Sequence, residues 1–152
     1  MKHLFNVIAI GCDHGGYDLK REIIKYLTSN NIQYIDFGSY NTESVNYPDY
    51  AHMVCEALQN NQADCGILIC GTGIGMSMAA NKHKGIRAAC CSDTFSARMT
   101  RMHNDANVLC MGGRVIGTGL ALDITELFLK TEFEGGRHEI RVKLIADLEN
   151  KK

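Results

Sequence analysis

Residues 65–82 read CGILICGTGIGMSMAANK and carry the strongest structural signal in the chain. The apolar run 66–70 has the length and composition of a strand that is buried on both faces. A turn with three alternating glycines follows, and a segment rich in small residues, 76–82, predicts a helix. A buried strand that passes through a glycine-rich turn into a helix is typical of a parallel sheet covered by helices.

The same alternation continues on both sides of this stretch. Four more short apolar segments predict strands, at 5–11, 33–38, 86–91 and 107–111. Apolar side chains at helical spacing predict helices at 17–29, from 48 onward, 94–102, 118–130 and 139–150. Five strands that alternate with helices require right-handed crossovers, and they predict an α/β fold with a five-stranded parallel sheet. We expect one domain over residues 1–152, with residues 137–152 forming a C-terminal helix that contributes to a dimer.

Composition excludes several classes of protein. The chain has 152 residues, of which 45% are hydrophobic and 22% charged, as in an ordinary globular domain. The net charge of −1 gives no general attraction to nucleic acid, and the glycines within 65–81 argue against a membrane span. The seven cysteines form no CxxC pair and mostly lie in apolar runs. With no signal peptide visible, they indicate reduced thiols in a cytoplasmic protein.

Polar residues follow the first predicted strand, where parallel sheets bind their ligands. Asp13 and His14 lie there in a turn flanked by glycines. Asp13 could cap the following helix, with His14 simply at the surface. Alternatively, both side chains bind sugar hydroxyls or a phosphate.

The turn after the third strand consists of Gly71, Thr72, Gly73, Ile74 and Gly75. Its backbone N–H groups could surround an anion or an oxyanion at the start of the next helix. The positive end of that helix would favour the thiolate form of Cys70, which precedes the turn. The alternative for Cys70 is a buried thiol at the end of a strand.

Three further polar groups allow two interpretations each. His103, Asn104 and Asp105 either end a helix or belong to a site. Arg114 is either a surface charge or a phosphate ligand. Arg137 and Arg141 lie four residues apart and share one helix face, which is either a solvated basic surface or a phosphate clamp. No HxH or HExxH pattern occurs, so the six histidines predict no metal site.

Taken together, five motifs closely resemble ribose-5-phosphate isomerase type B, a family that includes galactose-6-phosphate isomerase subunits. They are GCDHGG at 11–16, NYPDYA at 46–51, ILICGTGIGMSMAANK at 67–82, the His103-Asn104-Asp105 triplet and EGGRHEIRV at 134–142. The resemblance covers essentially the whole chain. It implies a Rossmann-like three-layer α/β/α sandwich, a homodimer or a dimer of dimers, and no metal or organic cofactor.

The resemblance also implies an activity and its residues. The family interconverts ribose 5-phosphate and ribulose 5-phosphate through an enediolate, in the non-oxidative pentose phosphate pathway. Cys70 matches the base, and His103 matches the residue that opens the sugar ring. The positions that match substrate-binding residues are Asp13, His14, Gly71, Thr72, Gly73, Ile74, Gly75, Asn104, Arg114, Arg137 and Arg141. Tyr47 matches a family tyrosine to which we assign no role. The intact triplet that begins at His103 favours the pentose phosphate over galactose 6-phosphate.

Three alternatives remain open. A nucleotide-binding module would use the GTGIG turn, but it lacks the GxGxxG pattern after the first strand. An isomerase could instead act on a six-carbon sugar phosphate, allose or galactose 6-phosphate. A sugar-phosphate binder without catalysis would not need both Cys70 and His103.

Topology adds an expectation that does not depend on the resemblance. Cys70 follows a strand, whereas His103 and Asn104 precede one, so they belong to opposite edges of the sheet. A strand of five residues spans about 17 Å, more than a histidine side chain can bridge. We therefore expect a second copy of the chain to complete each site.

Overall fold

The computed structural model describes residues 2–151 and contains a sheet of five parallel strands. Their spatial order is β2-β1-β3-β5-β4. Their bounds are Val7–Cys12 for β1, Gln33–Asp36 for β2, Cys65–Cys70 for β3, Ala88–Cys90 for β4 and Val108–Gly112 for β5. The predicted parallel sheet is confirmed. Residues 1 and 152 of the predicted domain lie outside the described residues.

Helices cover both faces of the sheet, as the three-layer prediction requires. They are α1 (Tyr17–Ser29), α2 (Tyr47–Gln59), α3 (Ile74–Ala80), α4 (Thr94–Asn104), α5 (Thr118–Lys130) and α6 (Arg137–Leu148). Helices α1, α4 and α5 bury apolar side chains against one face, and α2 and α3 against the other. Helix α6 packs outside these layers, against α4. No helix within residues 2–151 is long and apolar enough to cross a membrane.

Strand β3 runs through the centre of the core. All six of its residues are buried, and alternate side chains enter opposite layers. Ile67 and Ile69 pack towards α1 and α5, whereas Leu68 and Cys70 pack towards α2 and α3. Cys70 is therefore held at the carboxyl end of a fully buried strand, with 5% of its surface exposed.

The strand order creates two functionally distinct edges. Strand β1 lies between β2 and β3, so the chain turns in opposite directions after β1 and after β3. The loops that follow these two strands meet at this switch point, at the carboxyl edge of the sheet. Strand β5 begins at Val108, which pairs with Gly66 near the start of β3. The connection from α4 to β5 therefore lies at the opposite, amino edge.

Candidate active site

Three turns at the carboxyl edge pack backbone against backbone. They follow β1, β3 and β5. A Cβ atom at Gly113 would lie 2.6 Å from the carbonyl oxygen of Gly15, and one at Gly112 would lie 2.7 Å from that of Thr72. A Cβ atom at Gly16 would overlap with the carbonyl group of Ile69. Glycine is required here because the turns approach each other too closely for side chains.

The turn at 71–75 positions the Cys70 thiol. The N–H of Gly73 donates to Cys70 Sγ at 3.1 Å, and Gly73 has a left-handed φ of 78° that favours glycine. The N–H of Ile74 donates to Thr72 Oγ1 at 3.2 Å. Both bonds close within the turn, so these two N–H groups are not free for a ligand, and the binding role expected of the 71–75 turn stays a prediction. The Thr72 hydroxyl accepts one of them and keeps its own proton for an outside acceptor.

Most other thiols are unsuitable as bases. Burial raises the pKa of Cys55, Cys65 and Cys91 to about 12, so these side chains stay protonated at neutral pH. Burial also raises the pKa of Cys110. All four lie in the core or at its border, whereas Cys70 lies at the turns.

In both Asp13 and His14, one polar side-chain atom holds the local structure and another is available to a ligand. Asp13 Oδ1 accepts from the N–H groups of Gly15 at 2.9 Å and Gly16 at 3.2 Å, so this oxygen holds the turn before α1. His14 Nδ1 accepts from the N–H of Val45 at 3.2 Å. Neutral His14 therefore carries its proton on Nε2 and can donate it to a ligand. The interpretation of Asp13 as the helix cap is wrong, because the N-cap of α1 is Gly16 and no side chain caps it. The second oxygen of Asp13 forms no hydrogen bond within residues 2–151, and its role in binding stays a prediction.

Tyr47 and Arg114 flank the same turn. The Tyr47 ring covers Gly75, where a Cβ atom would lie 2.7 Å from the ring carbon Cζ. The N–H of Arg114 donates to the carbonyl oxygen of Gly71 at 3.0 Å. The exposed guanidinium of Arg114 forms no ion pair with any residue of the described part of the chain. It is therefore available to bind an anion.

The end of helix α4 is fixed by a charged network that the sequence analysis did not predict. Asp105 ends the helix in the left-handed conformation, with φ of 46°. Its carboxylate accepts from Arg101 at 2.9 Å and from Arg87 at 3.3 Å. We call Asp105, Arg87 and Arg101 the Asp105 clasp. Arg87 also donates to the carbonyl oxygen of Asn104 at 3.0 Å, so the clasp holds the backbone next to His103.

A second unpredicted cluster surrounds His103. Its ring stacks on that of His138, with centroids 4.3 Å apart and an angle of 12° between the ring planes. Glu134 Oε2 lies 3.3 Å from His138 Nε2 and 3.9 Å from His103 Nε2. Loss of hydration lowers the pKa of His138, and the neighbouring His103 and Arg137 add to that effect. The contact depends on the packing of α6 against α4, which sequence spacing does not reveal.

Comparison with known proteins identifies the family. A family model described as Ribose/Galactose Isomerase matches residues 8–145. The chain belongs to this family. Ribose-5-phosphate isomerase B of Escherichia coli is 48% identical over 145 residues, covering 95% of this chain and 97% of the relative.

Solved structures agree with this isomerase family. Ribose-5-phosphate isomerase B of Clostridium thermocellum superposes with a TM-score of 0.94 and is 54% identical, covering 95% of this chain and 97% of that one. The type B enzyme of Leishmania infantum has a TM-score of 0.90 at 46% identity, covering 94% and 95% of the two chains.

Within one chain of this isomerase, the candidate residues form two groups. Cys70, the 71–75 turn, Asp13, His14 and Arg114 lie at the carboxyl edge. His103, Asn104, Arg137 and Arg141 lie at the amino edge, where α4 ends and α6 begins. Four residues separate Gly66, which pairs with Val108, from Cys70 along β3. At about 3.3 Å per residue, that is roughly 13 Å. The structure therefore places the two groups at opposite edges, as the topology predicts.

Each edge offers part of an isomerase site. The carboxyl edge has a thiol whose thiolate form can take up a proton, beside a free hydroxyl and a histidine N–H. The amino edge has a partly exposed imidazole and two arginines that form no ion pair among residues 2–151. Proton transfer between adjacent carbons needs the first set, and binding of a phosphate dianion needs the second.

Proposed function

We propose that this isomerase interconverts ribose 5-phosphate and ribulose 5-phosphate. The observation that carries the proposal is the Cys70 thiol, held by the Gly73 N–H at the carboxyl edge of the sheet. The identity of 48% with the E. coli enzyme supports the same substrate. The seven thiols are unpaired and six of them are buried, which fits a reducing compartment such as the cytoplasm.

The reaction moves one proton between two carbons. The Cys70 thiolate removes the proton from C2 of the open-chain aldose and leaves an enediolate. The electrons of the broken C–H bond remain in the substrate. A proton passes from the C2 hydroxyl to the C1 oxygen in the enediolate, so the carbonyl moves from C1 to C2 once the abstracted proton is returned to C1. The Thr72 hydroxyl and the His14 Nε2–H are donors for the developing oxyanion.

Ring opening and phosphate binding require the other edge. His103 protonates the ring oxygen of the cyclic aldose, and Asn104 contacts the sugar. Arg137 and Arg141 bind the phosphate from the amino edge, and Arg114 supplies charge at the carboxyl edge. Guanidinium groups suit this role because they form paired hydrogen bonds with phosphate oxygens.

A homodimer with shared sites would bring the two edges together. Helix α6 carries apolar side chains that its own chain leaves uncovered: Ile140, Leu144 and Leu148 are 64%, 57% and 60% exposed. Such a helix face is suited to cover a second copy, and it lies beside Arg137 and Arg141. We infer that two copies pack so that the amino edge of one faces the carboxyl edge of the other.

A coupled assay with purified, metal-free protein tests the activity. We expect turnover of ribose 5-phosphate to exceed that of allose 6-phosphate and galactose 6-phosphate when kcat/KM values are compared. A higher kcat/KM on either six-carbon substrate would reassign the enzyme. Absence of isomerisation with all three substrates would overturn the proposal.

A further inference from the structure

We propose that His103, Glu134 and His138 form a binding site for a transition-metal dication such as Zn²⁺, and that this ion inhibits the isomerase. One ligand atom from each side chain lies within 4.8 Å of the other two. His138 Nε2 and His103 Nε2 lie 3.3 Å and 3.9 Å from Glu134 Oε2. Around tetrahedral Zn²⁺, with bonds of about 2.0–2.1 Å, ligand atoms lie roughly 3.3 Å apart. The His138–Glu134 pair already has this spacing, and His103 has to move closer.

His138 is the ligand of this site that the fold already holds in position. Its side chain is only 6% exposed, and its Nε2 atom is buried without a hydrogen-bond partner. Leaving such an atom unpaired costs free energy, and native proteins rarely do so. Glu134 Oε2 lies 3.3 Å from this atom but forms no hydrogen bond with it, so a cation bound by both would satisfy them.

The donor set selects the class of metal. Two imidazole nitrogens and one carboxylate are a known Zn²⁺ ligand set, with a fourth position open to water. Mg²⁺ and Ca²⁺ prefer six or more oxygen ligands, which these three side chains do not offer. The nearby arginines of α6 repel cations, so we expect a reversible site that EDTA empties.

Binding requires the His103 ring to turn. A metal ion lies in the plane of each ligating imidazole, and two rings stacked at 12° cannot both point at one ion. The His103 side chain is 38% exposed and can rotate, whereas buried His138 stays in place. A His103 nitrogen bonded to metal cannot transfer a proton to a sugar. The inhibitory half of this proposal rests on the proposed function, and the binding half does not.

Titration with Co²⁺ tests binding without reference to activity. The purified full chain is freed of metal, kept reduced with a phosphine, and titrated while its visible absorption is recorded. We expect one Co²⁺ per chain with the intense bands of a tetrahedral complex, and displacement by one equivalent of Zn²⁺. Glu134→Gln should weaken Co²⁺ binding at least tenfold, about the loss expected for perturbing such a ligand shell. The matched control is Glu139→Gln, an exposed residue of α6 five positions after Glu134, and it should leave the binding unchanged.

Other results would overturn the site. A thiolate-to-cobalt absorption band would place the metal on cysteine, and loss of binding in His52→Ala would place it on the exposed His52–His83 pair. Equal affinities for Glu134→Gln and Glu139→Gln, or no binding at all, would refute it.

For inhibition, the Zn²⁺ concentration that halves activity should rise at least tenfold in Glu134→Gln alone. An unchanged concentration would refute the inhibitory role and leave the binding result intact.

Discussion

The Cys70 sulfur is the atom at the carboxyl edge that is hardest to replace. It is held by the Gly73 N–H and lies at the end of a strand that is buried over its full length. Cys90, by contrast, is exposed on the short strand β4 and touches the same turn through the Thr72 carbonyl. The two residues therefore separate the effect of a thiol near the turn from the effect of the thiol proposed as base.

We expect Cys70→Ala to abolish isomerisation while the fold persists. Cys70→Ser should also lose about 10²–10⁴-fold in kcat, the usual contribution of a positioned base, because a hydroxyl ionises far less readily than a thiol. Turnover of ribose 5-phosphate measures both effects. Cys90→Ala is the control and should keep most of the activity. Substantial turnover by either Cys70 variant would remove Cys70 from the mechanism.

The proposed role of His103 in ring opening can be tested separately from proton transfer at carbon. His103→Asn should slow turnover of cyclic ribose 5-phosphate by about 10²–10⁴-fold, since a general acid is lost. Exchange of the substrate C–H proton with solvent, measured by NMR on open-chain ribulose 5-phosphate, should fall much less. His52→Asn, at an exposed site on α2, serves as the control. Equal losses in the two assays would show that His103 orients the substrate and does not open the ring.

At the scale of elements, the end of helix α4 depends on the Asp105 clasp. Arg101 is only 4% exposed and also donates to the carbonyl oxygens of Ala106 and Thr131. A buried guanidinium without its carboxylate is costly, because the charge then lacks its counter-ion. The clasp therefore stabilises the fold and the position of His103 together.

Asp105→Asn should lower the free energy of unfolding by about 1–3 kcal/mol, because it removes the charge from two hydrogen bonds. Asparagine tolerates the left-handed backbone, so the helix end keeps its conformation. Urea unfolding measures the change. Asp123→Asn, exposed on α5, should change the stability by less than about 0.5 kcal/mol. A loss no larger than that of the control would mean that the clasp contributes nothing to stability.

The second prediction for the elements concerns the two arginines of helix α6. Arg137→Ala and Arg141→Ala should each raise KM strongly, and the double variant should lose less than the sum because both arginines bind one anion. Inhibition by inorganic phosphate should weaken in parallel. Lys143→Ala, exposed on the same helix, is the control. Unchanged phosphate inhibition would identify the arginines as a solvated basic face.

Elements were predictable where local signals agree. The bounds of α1 and α5 match the predictions, since apolar spacing and stop signals coincide there. Helix α4 runs beyond its predicted end at 102 to Asn104, so the helix-end interpretation of the triplet that begins at His103 is confirmed. The clasp that fixes this end was not predicted. The sequence indicated which residues meet at the carboxyl edge, since these follow strands. It did not indicate the contacts of His103, because α6 reaches α4 from a distant part of the chain.

At the scale of the whole molecule, the proposed shared sites predict that the two edges act together across two chains. Cys70→Ala and His103→Ala subunits should each be inactive. Their mixture should regain activity, because each mixed dimer contains one site with both residues intact. The rate of ribose 5-phosphate turnover after subunit exchange measures this. The control is a mixture of Cys70→Ala with Cys70→Ser subunits, which should stay inactive. Verified exchange without recovery would mean that one chain builds the whole site.

The separation of the two edges also has an evolutionary consequence. After duplication of the gene, one copy could lose Cys70 and the other His103, and a heteromer of the two would still hold one working site. Each copy would then be free to change at its unused edge, and the pair would become mutually dependent. With the proposed roles, a fold that places a proton acceptor at one edge and a ring-opening group at the other would offer a short route from a homomeric enzyme to an obligate two-gene enzyme.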